Sequence, residues 1–416
     1  MSSTTPHSTT VNIVPLLKKL HKPEVHGLAT AEEISPAFAL IFEENRLSPI
    51  QAAAFLTLLS TTSRDKDANV IAACAARMRD VASPVDLHQL QAIMHQRAQT
   101  EGAYHGGLCD IVGTGGSSIQ TYNVSTTASL IASSFLLMSK HGNKAQTSVS
   151  GAADILSSIA PTPPDLLASN AENIPAIYEE SSYAFLFAPN FHPGMRFAAP
   201  LRREMGIRTI FNLLGPLAHP IEELVEARLV GVTETSLGDT FAHALAISSK
   251  TKAPGRRKAM VVCARAGLDE IACEGVTDCW MLYESEDEQI GIRQFALEPH
   301  DFGFPNHPLS AIRGGDAPKD NAVILMQMLE GKLDQDDPIL QVVLMNTAAM
   351  LVVSGVCEAE SSHTGERDGG IVIQERGPGG GRWKEGVRRA RLAVKNGAAL
   401  RSLGAFTEVS NSFGGK

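Results

Sequence analysis

The stretch DIVGTGGSSIQTYNVSTTASLIASS, residues 110–134, limits the folds open to this chain more than any other. The apolar run LCDIV reads as a strand, GTGG follows at its carboxyl end, and NVSTTASLIASS begins a helix. A strand that ends in glycines and feeds a helix belongs to an α/β sheet, and such sheets gather ligands beyond the carboxyl ends of their strands. Glycines there permit positive φ and close approach, so successive N–H groups can converge on an anion. Asn123 or Ser125 stands near the amino end of the helix, whose free N–H groups and dipole favour phosphate. A tight turn with a hydroxyl N-cap and no ligand has the same pattern, and the stretch alone leaves both readings open. It is not a Walker loop, because GxxxxGK[ST] is missing. Nor does GTGGSS have the GxGxxG spacing and later ribose-binding acid of a dinucleotide site.

The rest of the chain fits an α/β class in two parts. Residues 11–98 read as helices alone. Thr30 with Glu33 makes a capping box, Ser48-Pro49-Ile50-Gln51 makes a second helix start, and QAAAFLTLLS and NVIAACAARMRDVA repeat apolar residues at helical spacing. This part has no polar cluster and reads as a packing module or subunit interface. From about residue 108, the short apolar runs LCDIVG, FLFAP, EARLVGV and KAMVVCA alternate with helical stretches. The expectation is a small N-terminal all-helical domain, 11–98, joined by helices near 190–212. A larger α/β domain, 105–410, has a central mainly parallel sheet flanked by helices.

ILQVVLMNTAAMLVVSGV, 339–356, has Gln341, Asn346 and Thr347 within it and reads as a buried core helix, not a membrane span. TKAPGRRK (251–258), ESEDEQ (284–289) and the stretch 357–386 read as surface insertions, the last as mobile. Its GPGGGR has no strand before it, which argues against a phosphate loop. VRRARLAVKNGAALRSLGAF then resumes a helical period and docks back on the core.

Charge narrows the partners. The 416 residues have a formal net charge of −9, which repels nucleic acid, so no nucleic-acid partner is expected. An anionic substrate is repelled as well, and its site must concentrate positive charge locally. Six scattered cysteines without CxxC spacing suit a reduced intracellular protein. Residues 1–10 look like neither a secretory nor a mitochondrial signal, so the expected location is cytoplasmic, with no membrane partner.

A second phosphate-friendly stretch, SKHGNKAQTSVSGAAD (139–154), follows the apolar LIASSFLLM, which again reads as a strand. It is read as one loop with Lys140, His141, Asn143, Lys144, Thr147 and Ser148. With both stretches in view, the chain resembles anthranilate phosphoribosyltransferase. The likeness is carried in order by GTGGxxxxTYNVST, KHGNxxxTSxSGxAD, FLFAPNFHPGMRFAAPLRREMGIRTIFNLLGPLAHP (185–220) and GLDE (267–270). It runs from the helical N-terminus to about residue 410, with 357–386 the main region outside it.

The resemblance implies transfer of phosphoribose from phosphoribosyl pyrophosphate to the amino group of anthranilate, in tryptophan biosynthesis. It implies Mg2+ as cofactor, the two small molecules as partners, and a homodimer through the helical domain. It also implies roles for residues. Gly113, Gly116, Ser117 and Thr121, with Asn123, Val124, Ser125 and Thr126, would hold phosphoribosyl pyrophosphate. Lys140, His141, Gly142 and the residues on to Ser148 would wrap the remaining phosphate oxygens, with Lys140 as the point charge. Asn143 would reach anthranilate, Arg202 would bind its carboxylate, and His192 would line its path. Ser125, Asp269 and Glu270 would bind the metal.

Two departures stand out. Ser117 occupies a position where the family usually has an acid, and Ala152 one where a serine is common. A pyrimidine nucleoside phosphorylase and a non-catalytic paralogue remain the alternatives; KHGN and FNLLGP favour the transferase, and Ser117 and Ala152 sustain the paralogue. No separate glutaminase or indoleglycerol-phosphate domain is expected in this chain.

Overall fold

A computed structural model describes residues 10–97, 100–117, 119–145, 149–362 and 370–414. The chain forms two compact units, one comprising residues up to Ser83 with Phe191–Pro220, the other Pro84–Asn190 with residues from Ile221 onward.

The first unit is helical, and its helix starts follow from local chemistry. Thr30 N–H donates to Glu33 Oε2 at 3.1 Å ahead of the helix Ala31–Ala39. Ser48 Oγ accepts from Gln51 N–H at 3.2 Å, and Pro49 opens the helix Pro49–Thr61. Asp67 caps Ala68–Asp80 by accepting from Asn69 N–H at 2.9 Å and Val70 N–H at 3.2 Å. Phe38, Phe55, Leu59 and Ile71 are fully buried between these helices. The Phe38 ring meets Phe42 at 5.2 Å and Phe211 at 5.0 Å between centroids, which ties the returning segment 191–220 to the helices.

The second unit is built on seven strands: β1 Leu108–Gly113, β2 Leu137–Gly142, β3 Tyr183–Phe187, β4 Val225–Gly231, β5 Lys258–Ala264, β6 Thr277–Glu284 and β7 Ile290–Leu297. Their order is β3-β2-β1-β4-β5-β6-β7. The first five run parallel, and β6 and β7 are antiparallel additions at one edge. The sheet is thus mainly parallel and flanked by helices, as the alternating pattern predicts. Chain order reverses between β1 and β4, so a crevice opens at their carboxyl ends. The helix Leu87–Arg97 also belongs to this unit, where it packs on Ile174–Glu180.

The helix Pro338–Ser354 forms the centre of the unit, and every residue from Leu340 to Ser354 is buried. Asp337 caps its start, accepting from Ile339 N–H at 2.8 Å and Leu340 N–H at 3.0 Å, and Gly355 stops it at φ 89°. Among the described residues no helix is long and apolar enough to cross a membrane.

Two expectations need correction. LIASSFLLM is not one strand: its first residues close the helix Val124–Ala132, and β2 starts only at Leu137. Lys140 and His141 therefore lie inside β2, not in a loop. β2 is sandwiched between β1 and β3, and a strand so placed is almost wholly buried. The stretch 357–386 is also not surface throughout. Arg382, Trp383 and Glu385 are buried, and Trp383 lies against the rings of Phe295 and Phe302. Its GPGGG run turns carbonyls to cations, Gly379 O accepting from Arg293 at 3.0 Å and Gly380 O from Arg376 at 2.7 Å. Residues 363–369 lie outside the described residues.

Candidate active site

The crevice between β1 and β4 is filled at its base by the segment 267–270. A Cβ on Gly113 would stand 2.2 Å from Asp269 Oδ2, and one on Gly231 would stand 1.6 Å from the Asp269 carbonyl oxygen. At Gly231 a side chain would collide with backbone, and at Gly113 it would displace the Asp269 carboxylate. Gly115 N–H donates to Asp269 Oδ2 at 2.7 Å. Ser117 Oγ donates to the Gly267 carbonyl at 3.1 Å and accepts from Ile119 N–H at 3.1 Å. Gly115 and Gly116 have φ of 67° and 86°, the positive values expected of this loop.

The acidic segment is also held from below. Buried Asn346 accepts from Ile271 N–H at 3.0 Å and donates to the Ile271 carbonyl at 3.0 Å and to Val342 O at 2.9 Å. Thr277 Oγ accepts from Ala272 N–H at 3.2 Å. Sequence reasoning missed Gly231 and Asn346 as site residues, although Asn346 was visible as an amide inside an apolar run.

The helix Val124–Ala132 points its amino end at the same place. Asn123 occupies the N-cap position, and its Nδ2 donates to the Ser150 carbonyl at 2.9 Å. Val124 and Thr126 are buried, while Thr121 and Ser125 are half-buried. Ser125 N–H bonds to the Glu270 carboxylate. As a residue Glu270 is only half-buried, but its Oε2 is shielded from solvent and has no hydrogen-bond partner. Burial and then the neighbouring Asp269 charge push the Glu270 carboxyl well above the ordinary range, against the Ser125 N–H and the Lys140 charge.

Lys140 and His141 are 3% and 6% exposed, respectively, so the lysine ammonium sits in the interior. Burial lowers its pKa, and the charges of Asp110, Glu270 and Asp269 oppose the shift. Asp110, on β1, accepts from His141 N–H at 3.3 Å and lies 4.0 Å from Arg228 on β4. Arg228 in turn binds Glu222 at 2.7 Å, and Lys252 binds Glu222 at 2.8 Å. Burial raises the Asp110 carboxyl to about 6, even with Lys140 and Arg228 drawing it down. A line of alternating buried charges thus runs under the crevice from Glu222 to the acid pair. Asp110 and Arg228 were not found from sequence, because their relation depends on β1–β4 pairing.

Beyond β2, one carboxylate ties Ala145 to Gly151. Asp154 Oδ2 accepts from Ala145 N–H at 2.7 Å and Gly151 N–H at 2.9 Å. Gly142 is glycine for packing, since a Cβ there would lie 2.9 Å from the Phe185 ring. Asn143 is exposed, with its Oδ1 accepting from Lys144 N–H at 2.8 Å. Ala152 opens the helix Ala152–Ser157. Thr147 and Ser148 lie outside the described residues.

Arg202 and His192 belong to the first unit. Arg202 is in the last turn of the helix Met195–Met205, which Gly206 ends at φ 65°. Its guanidinium lies 5.3 Å from the Phe211 ring centroid. No carboxylate pairs with it among the described residues, and partial burial lowers its pKa. It is a half-buried cation without a countercharge, suited to a planar carboxylate. His192 is buried against the backbone at Ala218 and Met78, and burial lowers its pKa to about 4.

Gly113, Ser117, Ser125, Lys140, Asp269 and Glu270 are thus brought together at one crevice of the second unit. Among the described residues no three His, Cys, Asp or Glu side chains converge as a complete metal cage. The oxygen set at the crevice nevertheless fits Mg2+. It comprises the Asp269 and Glu270 carboxylates with Thr114 Oγ1 and Asn123 Oδ1; these last two oxygens and Glu270 Oε2 are buried without a hydrogen-bond partner. Mg2+ prefers such hard oxygens and commonly takes its other ligands from phosphates and water.

A family model described as "Glycosyl transferase family, a/b domain" matches residues 105–400. Anthranilate phosphoribosyltransferase of Schizosaccharomyces pombe is 33% identical over 93% of this chain and 98% of its own. That of Saccharomyces cerevisiae is 32% identical over 99% of this chain and 95% of its own. The solved structure of the Saccharomyces cerevisiae enzyme in complex with PRPP and Mg superposes with a TM-score of 0.76 at 30% identity, covering 97% of this chain and 99% of that one. The same enzyme in complex with 4-fluoroanthranilate superposes with a TM-score of 0.76 at 29% identity, covering 98% of this chain and 100% of that one.

Proposed function

We propose, from the premise that this chain belongs to the anthranilate phosphoribosyltransferase family, that it transfers phosphoribose from phosphoribosyl pyrophosphate to the amino group of anthranilate and releases pyrophosphate. The observation that carries the reading is the crevice at the β1–β4 reversal, where GTGG, the helix amino end at Ser125, Lys140 and the Asp269–Glu270 pair converge. Gly116, Thr121 and Asn123–Thr126 bind the phosphoribosyl group and its phosphates, with Lys140, His141 and the residues on to Ser148 around the rest. Asn143 meets anthranilate, His192 lines its path, and Arg202 takes its carboxylate.

The difficult step is departure of pyrophosphate from C1 of the ribose, which builds positive charge on the sugar and negative charge on the leaving group. Lys140, buried among carboxylates, is a charge whose orientation is fixed before the reaction. The amino end of the helix at Ser125 brings the positive end of its dipole to the same crevice. Asp269, Glu270 and Ser125 would hold Mg2+, which would supply positive charge to neutralise the pyrophosphate. Anthranilate needs no strong base, since its aromatic amine is neutral at pH 7 and its lone pair is available. Holding both substrates in register provides much of the remaining acceleration.

The pathway is tryptophan biosynthesis and the compartment the cytoplasm, consistent with six free, buried thiols. The chain acts as a homodimer through the helical unit, where Ile50, Val25 and Leu28 are 83%, 65% and 62% exposed. Sedimentation of the purified chain tests the dimer. The activity is tested by offering two substrate pairs, phosphoribosyl pyrophosphate with anthranilate and Mg2+, and thymidine with inorganic phosphate. Product is expected only from the first; phosphorolysis of thymidine overturns the reading.

A further inference from the structure

Four contacts join the GTGG loop and the end of β4 to the segment 267–270, and none of them requires a ligand. Gly113 and Gly231 leave the space that the Asp269 side chain and backbone fill. Gly115 N–H holds the Asp269 carboxylate at 2.7 Å, and Ser117 Oγ holds the Gly267 carbonyl at 3.1 Å. Each contact acts on the backbone or carboxylate of the one acidic segment in the crevice. Ser117 is the contact made by a side chain hydroxyl, and it reaches across 150 positions of sequence.

We infer that Ser117 is a positioning residue for the metal: its bond to Gly267 fixes the 267–270 segment so that Asp269 presents its carboxylate to Mg2+. An aspartate in this position could not do the same as an anion, because a carboxylate cannot donate to the Gly267 carbonyl. The hydroxyl donates to Gly267 and accepts from Ile119 N–H at once, so a single side chain links the turn of the glycine loop to the start of the acidic one. The inference rests on the proposed function, since it gives Asp269 a metal to hold.

The test is binding of Mn2+ to the full-length chain at one fixed concentration of phosphoribosyl pyrophosphate, with free Mn2+ read by electron paramagnetic resonance. Ser117→Ala is expected to weaken Mn2+ binding by about fivefold, the effect of one hydrogen bond of about 1 kcal/mol. Ser117→Thr, which keeps the hydroxyl, is expected to stay within about twofold of the parent on the same scale. KM for anthranilate is expected to be unchanged in both, and Asp269→Asn marks the loss of a ligand itself. Equal Mn2+ affinity in Ser117→Ala and the parent overturns the inference, as does a Ser117→Thr that loses as much as Ser117→Ala. If the parent turns over substrate and the variants do not differ in metal affinity, only this inference falls. If the parent binds no phosphoribosyl pyrophosphate, the functional reading falls with it.

Discussion

Replacing Asn346 by alanine removes the support beneath the acid pair without touching any residue that faces substrate. Asn346 is 2% exposed and gives Ile271 both a donor and an acceptor at 3.0 Å, one residue beyond Glu270. Ile271 is fully buried, so its freed N–H and carbonyl gain no water in place of the amide. At the low end of the cost of a buried unsatisfied group, about 1 kcal/mol each, local opening of the segment becomes easier by about 2 kcal/mol. Amide exchange of the Ile271 N–H should then speed up by about 30-fold, while amides of β3, remote from the segment, keep their rates. The magnesium concentration for half-maximal rate should rise several-fold as Asp269 and Glu270 lose their fixed position, and KM for anthranilate should not change. Exchange at Ile271 that stays at the parent rate, or that rises equally in every strand, would show that Asn346 does not hold this segment.

Arg202→Ala should raise KM for anthranilate by about tenfold or more, the effect of losing a charge-assisted pair, with KM for phosphoribosyl pyrophosphate unchanged in steady-state assays. His192 has a folded pKa of about 4, below its ordinary value of 6.5, so the neutral ring favours the fold above pH 6.5 and that stability is lost as pH falls toward 4. The shift corresponds to about 3 kcal/mol, so His192→Gln should flatten the decline of melting temperature between pH 6.5 and 4. Chelation should abolish turnover, and Mg2+ or Mn2+ in excess of the chelator should restore it in the same sample, as the all-oxygen donor set implies.

What could be read from sequence was local. The glycine turn after β1, the helix amino end at Asn123 and the caps at Thr30 and Ser48 each depend on neighbours within a few residues. The buried helix 338–354 was legible because length and apolarity exceed what a surface helix tolerates. Lys140 was misplaced into a loop because LIASSFLLM joins a helix end to a strand start with no change of composition. The tail of 357–386 misled for the opposite reason, since its Gly, Pro and charged residues look like surface while Trp383 buries its ring. Ser117 could be seen as a departure, but its partner Gly267 could not. Asp110 with Arg228, Gly231 with Asp269, and Asn346 with Ile271 likewise depend on pairing across more than thirty positions, which no local pattern encodes.

Removal of pyrophosphate from an activated ribose, with anthranilate taking its place, is the reaction assigned to this crevice. Its most direct measurement follows anthranilate fluorescence and pyrophosphate release together, with purified chain, phosphoribosyl pyrophosphate and Mg2+. Loss of fluorescence and release of pyrophosphate are expected in one-to-one proportion, with neither seen when the chain carries Asp269→Ala and Glu270→Ala together. Constant fluorescence over the whole range of Mg2+ concentrations, or pyrophosphate released without loss of anthranilate, would contradict it.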